Sequence, residues 1–193
     1  MSKKKLIAIC GKSAAGKDTM LKYMLDQAGD KANEIVSYTT RPPREGEVDG
    51  KNYHFVSDYV FTIKEMKHEM LEVASYREWR YGTAIDSLID DKINIGVFNR
   101  KGIESLKLHD DEIDLFIVYM VASDKERLLR SLNREEDPDV KESVRRYLAD
   151  EKEWEGFFGP NITIANDGQG VDPKAASLLA AETFAIAERL WAK

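Results

Sequence analysis

The chain has 193 residues, 42% hydrophobic and 33% charged, which suits one compact domain with a sizeable buried core. Its net charge of -6 speaks against a dedicated binder of polymeric nucleic acid, which carries a basic excess. Cys10 is the single cysteine, so no internal disulfide can form, and no run approaches the roughly 20 apolar residues that span a membrane.

In chain order, Lys3, Lys4 and Lys5 precede an apolar stretch, Leu6 to Cys10, too short for a signal peptide, so a cytoplasmic location is the default. Lys5 to Cys10 reads as a buried strand ended by Gly11. A helix follows from about Lys17 to Gln27, with Met20, Leu21, Met24 and Leu25 on one face. Asn33 to Tyr38 reads as a second strand. Residues 39–83 differ: Pro42, Pro43, Gly46 and Gly50 break up short β-like pieces, the mark of an inserted segment. The α/β alternation resumes with a strand at Ile93–Phe98, a helix over about 100–108 and a strand at Asp114–Ala122. Ser123 is placed to cap a helix over Asp124–Asn133, with Glu126 completing a capping box. Arg134–Asp139 reads as an exposed lid. A helix from Val140 to about Gly156, a strand at Asn161–Ala165 and a helix from about Pro173 to Trp191 complete the chain. Strands alternating with helices imply a parallel five-stranded sheet in a three-layer α/β/α fold.

Gly11-Lys-Ser13-Ala14-Ala15-Gly16-Lys17-Asp18-Thr19 follows a strand and opens a helix. Glycines let backbone amides curl around phosphates, the helix N-terminus adds partial positive charge, and Lys17 supplies a mobile cation. The spacing is that of the phosphate-binding G-x-x-x-x-G-K loop, with Asp18 where the motif wants the Ser or Thr that helps hold Mg²⁺. A glycine-rich turn with a surface lysine is the plain alternative. Arginines also cluster at 41–44, 77–80, 127–134 and 145–146, and basic clusters in an acidic chain suit a small anionic ligand.

Within the inserted segment, Arg41 and Arg44 stand three apart around two prolines and offer two guanidinium forks to one phosphate. Tyr53 and Tyr81 can donate to the same phosphate. Glu72, taken by itself, reads as an ordinary surface glutamate, an acceptor-only group.

The run Ser37-Tyr-Thr-Thr-Arg41-Pro-Pro-Arg44-Glu-Gly-Glu47 through Tyr53-His-Phe-Val, followed by Glu72 and Tyr81-Gly82-Thr83, strongly resembles the monophosphate-binding segment of guanylate kinases. The likeness extends over nearly the whole chain, through the phosphate loop, the lid arginines and Ile164-Ala-Asn166-Asp167. It implies a single domain with a core of residues 1–38 and 84–193, an acceptor-binding segment at 39–83 and a small lid at about 127–146. It also implies an enzyme that moves the terminal phosphate of ATP, with Mg²⁺, onto GMP or dGMP. Gly11, Ser13, Ala14, Ala15, Gly16, Lys17, Asp18, Thr19 and Asn166 would hold ATP. Ser37, Arg41, Arg44, Tyr53, Glu72, Tyr81, Thr83 and Asn99 would hold the acceptor. Lys17, Arg41, Arg127, Arg134 and one of Arg145 or Arg146 would serve the transferring group, while Arg130 reads as a solvated helix residue.

The pattern departs in one stretch. Where guanylate kinases carry Asp-x-Asp-x-x-Gly, this chain has Val97-Phe98-Asn99-Arg100-Lys101-Gly102. A carboxylate is missing at 97 and an unusual one stands at 18, so Asp18 is the candidate that serves the metal in its place. Two other readings are open at this point. One is a same-fold kinase for another phosphorylated acceptor, and the other is a non-catalytic binding module. His54, His68 and His109 have neither triad nor metal spacing. The chain is expected to act as a monomer or homodimer.

Overall fold

A computed structural model describes residues 3–76, 78–133, 138–167 and 173–192. Nine strands and six α-helices lie among them. The main sheet contains β1 (Lys4–Cys10), β2 (Ala32–Glu34), β7 (Ile93–Val97), β8 (Ile113–Val121) and β9 (Ile162–Ala165) in the order β2-β7-β1-β8-β9. All four pairings are parallel, as expected of a sheet whose strands are joined by helical crossovers.

Alternation along β1 explains its unbroken apolar run. Ile7 and Ile9 point into one core with Met20 and Met24 of α1 (Lys17–Ala28) and Ala180, Phe184 and Ala187 of α6 (Pro173–Trp191). Leu6, Ala8 and Cys10 point into the other, with Ile103 and Leu106 of α3 (Arg100–Leu106) and Trp154 beyond α5 (Val140–Glu153). Both faces of the strand are dry, so neither alternate position can be polar. On α1, Met20, Met24 and Ala28 recur every four residues and are buried, with Leu21 and Leu25 packed at the edge of the stripe. Full burial of Met24 alone contributes about 1.5–3 kcal/mol.

The strand expected over Asn33–Tyr38 is two strands in two sheets. The Ile35 N–H still bonds to Ile95 O at 3.0 Å, after which the chain leaves the main sheet. It re-forms as β3 (Tyr38–Thr39), which lies in a second sheet with β4 (His54–Phe55), β5 (Met70–Tyr76) and β6 (Trp79–Ala84), in the order β4-β3-β6-β5. The break leaves no mark in the pattern, because both sheets need β-forming residues. This second unit also contains α2 (Asp58–Met66), where short β-like pieces were expected; the Ser57 hydroxyl caps it by accepting from the Val60 N–H.

The capping box expected at Ser123 does not form. Ser123 is the N-cap of α4 (Asp124–Leu132), but its side chain makes no bond to the helix. Asp167, just after β9, instead accepts from the Ser123 N–H at 2.6 Å, taking the donor that Glu126 would have reached back to. Bonds from the Ser123 amide and hydroxyl hold the Asp167 carboxyl below its usual range. The helix expected to reach about Gly156 ends at Glu153. Among the described residues, no helix is long and apolar enough to cross a membrane.

Candidate active site

The loop between β1 and α1 curls because three residues take left-handed conformations: Gly11 (φ +141°), Ala14 (φ +60°) and Gly16 (φ +98°). For Ala14 that backbone costs about 1–3 kcal/mol, a strain typical of ligand-binding loops. A methyl group at Gly11 would collide with the carbonyl oxygen of Met120, and one at Gly16 with the Asn166 side chain. The Asn166 Nδ2 donates to Ala15 O at 2.9 Å, which pins the loop to the end of β9. Lys17 opens α1 and folds back over the loop, its Nζ donating to Lys12 O at 2.9 Å. Thr19, Tyr23, Ile164, Asn166 and Leu179 help line an apolar crevice beside the loop.

Arginines from α4 converge on the same loop. The Arg130 Nη2 donates to Asn166 O at 2.8 Å and lies within reach of Glu126, so this residue is not the solvated one the sequence suggested. Arg127 is buried, and its Nε donates to Ser13 O at 3.1 Å. Its remaining nitrogens are held by Asp124, Asp150 and Glu151. Arg145 and Arg146 sit on α5, exposed, and both bond to Glu142, whose carboxyl they hold down at about 2. Arg146 and Tyr147 line a crevice that reaches Ser13 and Ala14. Arg134 lies outside the described residues.

The second sheet presents a different surface. Across the β5–β6 pair, the Thr83 Oγ1 donates to Glu72 Oε1 at 3.0 Å, and Ser37 Oγ lies 3.3 Å from Thr83 Oγ1. Burial pushes the Glu72 carboxyl above its usual range, and the bonds from Thr83 only partly oppose this. The N-terminus of α3 closes the pocket: a methyl at Gly102 would lie 3.5 Å from Glu72 Oε2. Asn99 caps that helix, its Oδ1 accepting from the Gly102 N–H at 2.7 Å, and its amide nitrogen is the donor it can offer a ligand.

Arg41 is only 7% exposed, and its Nη2 donates to Glu47 Oε1 at 2.7 Å. The other oxygen of Glu47 accepts from the Arg44 N–H at 2.7 Å, so one carboxylate fixes both arginine positions. The bond to Glu47 raises the Arg41 pKa, and the same bond lowers that of Glu47. Tyr53 packs edge-on against Tyr81, ring centroids 5.8 Å apart, and the Arg41 guanidinium lies 5.6 Å from the Tyr53 centroid. Two cations and two phenols are thus gathered at one end of the second sheet.

The family model described as guanylate kinase matches residues 3–169. The chain belongs to that family. It is 31% identical over 174 residues to a guanylate kinase of Schizosaccharomyces pombe, an alignment that covers 86% of this chain and 84% of the relative. To a guanylate kinase of Nitrobacter winogradskyi it is 28% identical over 183 residues, covering 92% of this chain and 82% of the other. The guanylate kinase structure from Anaplasma phagocytophilum has the same fold, with a TM-score of 0.60 at 17% identity, over 96% of this chain and 87% of that one.

Within this guanylate kinase fold, the expected residues fall into two groups. Gly11 to Thr19 and Asn166 gather at the C-terminal ends of β1 and β9, while Ser37, Arg41, Tyr53, Glu72, Tyr81 and Thr83 gather on the second sheet. Four residues to which the sequence reading gave no site role also bond to the expected site residues: Arg130, Glu47, Asp150 and Glu151. A faint signal existed for Arg130, which lies three residues from Arg127 and so on the same helical face. For the acidic residues there was none, since a carboxylate on a charged helix looks like solvated surface.

Among the described residues, no cluster of three or more His, Cys, Asp or Glu side chains could hold a metal ion. Val97, at the end of β7, packs against the apolar core, and Asp18 is the only carboxylate in the loop sequence, exposed in the first turn of α1. Mg²⁺ keeps several waters and needs only one or two carboxylates beside substrate phosphates. The donor set therefore fits an ion that arrives as MgATP rather than one caged by protein.

Proposed function

We propose that this guanylate kinase transfers the terminal phosphoryl group of MgATP to GMP or dGMP, giving ADP and the nucleoside diphosphate. The observation that carries the reading is the half-buried Glu72, backed by Thr83 and Ser37, in the same molecule as a phosphate loop with its lysine. A desolvated acceptor discriminates between bases because a base that offers no donors leaves it unpaired.

In this reading, residues 39–83 hold the acceptor and about 127–146 form the lid. Arg41 and Arg44, with the Tyr53 and Tyr81 hydroxyls, grip the acceptor phosphate, so that one of its oxygens faces the γ-phosphorus. Loop amides beyond Ser13, whose own N–H is held by Asp150, receive the donor phosphates. Lys17 exchanges its bond to Lys12 O for phosphate oxygens and follows the charge as it moves to the leaving ADP. Asp18 would be the residue that holds the Mg²⁺ accompanying ATP, and that ion would supply neutralisation of phosphate charge. Arg130 and Asn166 border the nucleotide side of the loop, while Arg145 or Arg146 closes from the lid and excludes water. Asn99 offers its amide nitrogen beside the base pocket. The bond from the γ-phosphorus to ADP oxygen breaks as the bond to the GMP phosphate oxygen forms, so positioning and charge neutralisation carry the catalysis.

A coupled ADP-release assay over GMP, dGMP, AMP, CMP and UMP tests the assignment. Turnover should be confined to the two guanine nucleotides, and Lys17→Ala should remove nearly all of it without unfolding the protein. AMP turned over as well as GMP, or a Lys17→Ala variant with near-normal turnover, would overturn it.

A further inference from the structure

Arg127 and Asp150 form an ion pair between α4 and α5, Nη2 to Oδ2 at 2.8 Å, with the arginine 2% and the aspartate 8% exposed. Each also reaches the main chain of Ser13 in the phosphate loop. The Ser13 N–H donates to Asp150 Oδ2 at 2.7 Å, and the Arg127 Nε donates to Ser13 O at 3.1 Å. One buried pair thus engages both polar groups of a single loop residue. Beside it, Glu151 Oε1 accepts from the Arg127 Nη1 at 2.9 Å and from the Lys12 Nζ at 2.6 Å. The Lys12 carbonyl in turn accepts from the Lys17 Nζ. An unbroken chain of bonds therefore runs from α4 and α5 to the phosphate-binding lysine.

Buried ion pairs are a poor source of stability, because desolvation offsets most of the attraction. Two helices could be joined with less penalty by apolar side chains. What apolar side chains cannot supply is a donor and an acceptor aimed at opposite ends of one loop residue. We infer that Arg127 and Asp150 are positioning residues for phosphoryl transfer: they hold the phosphate loop at Ser13 in its nucleotide-receiving shape and tie it to α4 and α5. The inference rests on the ATP-dependent reading above and reassigns Arg127 within it. With every guanidinium nitrogen engaged by protein, Arg127 acts through the loop rather than on the transferring group.

The experiment separates stability from nucleotide binding. Arg127→Met and Asp150→Leu each strand a buried partner charge, so each should lower Tm and weaken nucleotide binding together. The double variant R127M/D150L removes both charges and keeps similar shapes. Its Tm should return to within about 3 °C of the parent, since the stranded charge was the cause of the loss. Its Kd for fluorescent mant-ADP should remain about tenfold or more weaker, as expected when charged hydrogen bonds to the loop are lost. GMP binding, read by calorimetry without ATP, should not change. Recovery of both Tm and mant-ADP affinity in the double variant would reduce the pair to packing and overturn the inference.

If the double variant fails to fold, Asp150→Asn and Asp150→Ala decide. The amide keeps an acceptor for the Ser13 N–H and should hold mant-ADP within about threefold, whereas the alanine should lose about tenfold. Equal affinities for these two would also overturn the inference. Mant-ADP binding involves no acceptor and no turnover, so its outcome is independent of which monophosphate the enzyme uses.

Discussion

Thr83 gives its one hydroxyl proton to Glu72 Oε1 at 3.0 Å, so Ser37, 3.3 Å away, must donate to Thr83 in turn. This relay orients the carboxylate and leaves Glu72 Oε2, on the α3 side, as the acceptor we propose for the base. Glu72→Gln turns an amide donor toward guanine's own donors. We expect kcat/KM for GMP to fall by about 1.5–3 kcal/mol, roughly 10- to 150-fold, with KM for ATP unchanged. Initial rates with each substrate varied in turn check this, and an equal loss on both would remove Glu72 from base reading.

The same residue predicts a pH dependence. Burial raises the Glu72 pKa, so its contribution to folding is fully present below the usual carboxylate pKa and is lost as pH rises through the raised value. Guanine needs the opposite, ionised form. KM for GMP should therefore rise as pH falls from about 8 to about 5, while KM for ATP changes little. In Glu72→Gln the GMP profile should flatten. An unchanged slope in that variant would assign the pH dependence to another group.

Glu47 bridges the Arg41 side chain and the Arg44 N–H, each at 2.7 Å. Glu47→Gln should loosen the fork without removing it and raise KM for GMP about fivefold to twentyfold, the scale of one charged hydrogen bond. Arg41→Ala should cost more, since it removes a phosphate partner and leaves Glu47 without its cation. Calorimetric titration of GMP into each variant measures both. Equal Kd for Glu47→Gln and the parent would show that the fork needs no brace.

Asp18 and Val97 predict a magnesium effect. Asp18→Ala should raise the Mg²⁺ concentration for half-maximal rate at saturating ATP, and Asp18→Ser should recover part of the loss by restoring a hydroxyl ligand. Adding Val97→Asp to Asp18→Ser should recover more than the two single effects combined, the coupling expected of neighbours that share an ion. If Asp18 merely complements the start of α1, its removal costs about 0.3–1 kcal/mol of stability and leaves the magnesium curve unchanged. Mg²⁺ titration of the parent, Asp18→Ala, Asp18→Ser, Val97→Asp and the double variant distinguishes the two roles.

The sequence by itself determined the layers and the phosphate loop. Their signals are local: an apolar run for β1, a four-residue stripe on α1 and a glycine spacing that fixes where the backbone turns left-handed. Such features depend on neighbours along the chain and can be read one segment at a time. Other features were settled by residues far away in sequence. Asp167 displaced the capping box at Ser123 from 44 residues away, and the stretch Asn33–Tyr38 divided between two sheets because each offered it a partner edge. The arginines of α4 show the difference most clearly. Arg127 and Arg130 are equivalent as sequence, two cations on one helical face. Only the fold brings Asp150 and Glu151 against Arg127, and Asn166 against Arg130. A charge enters a protein interior only where an opposite charge and hydrogen-bond partners already wait, and those partners come from segments that only tertiary packing brings together.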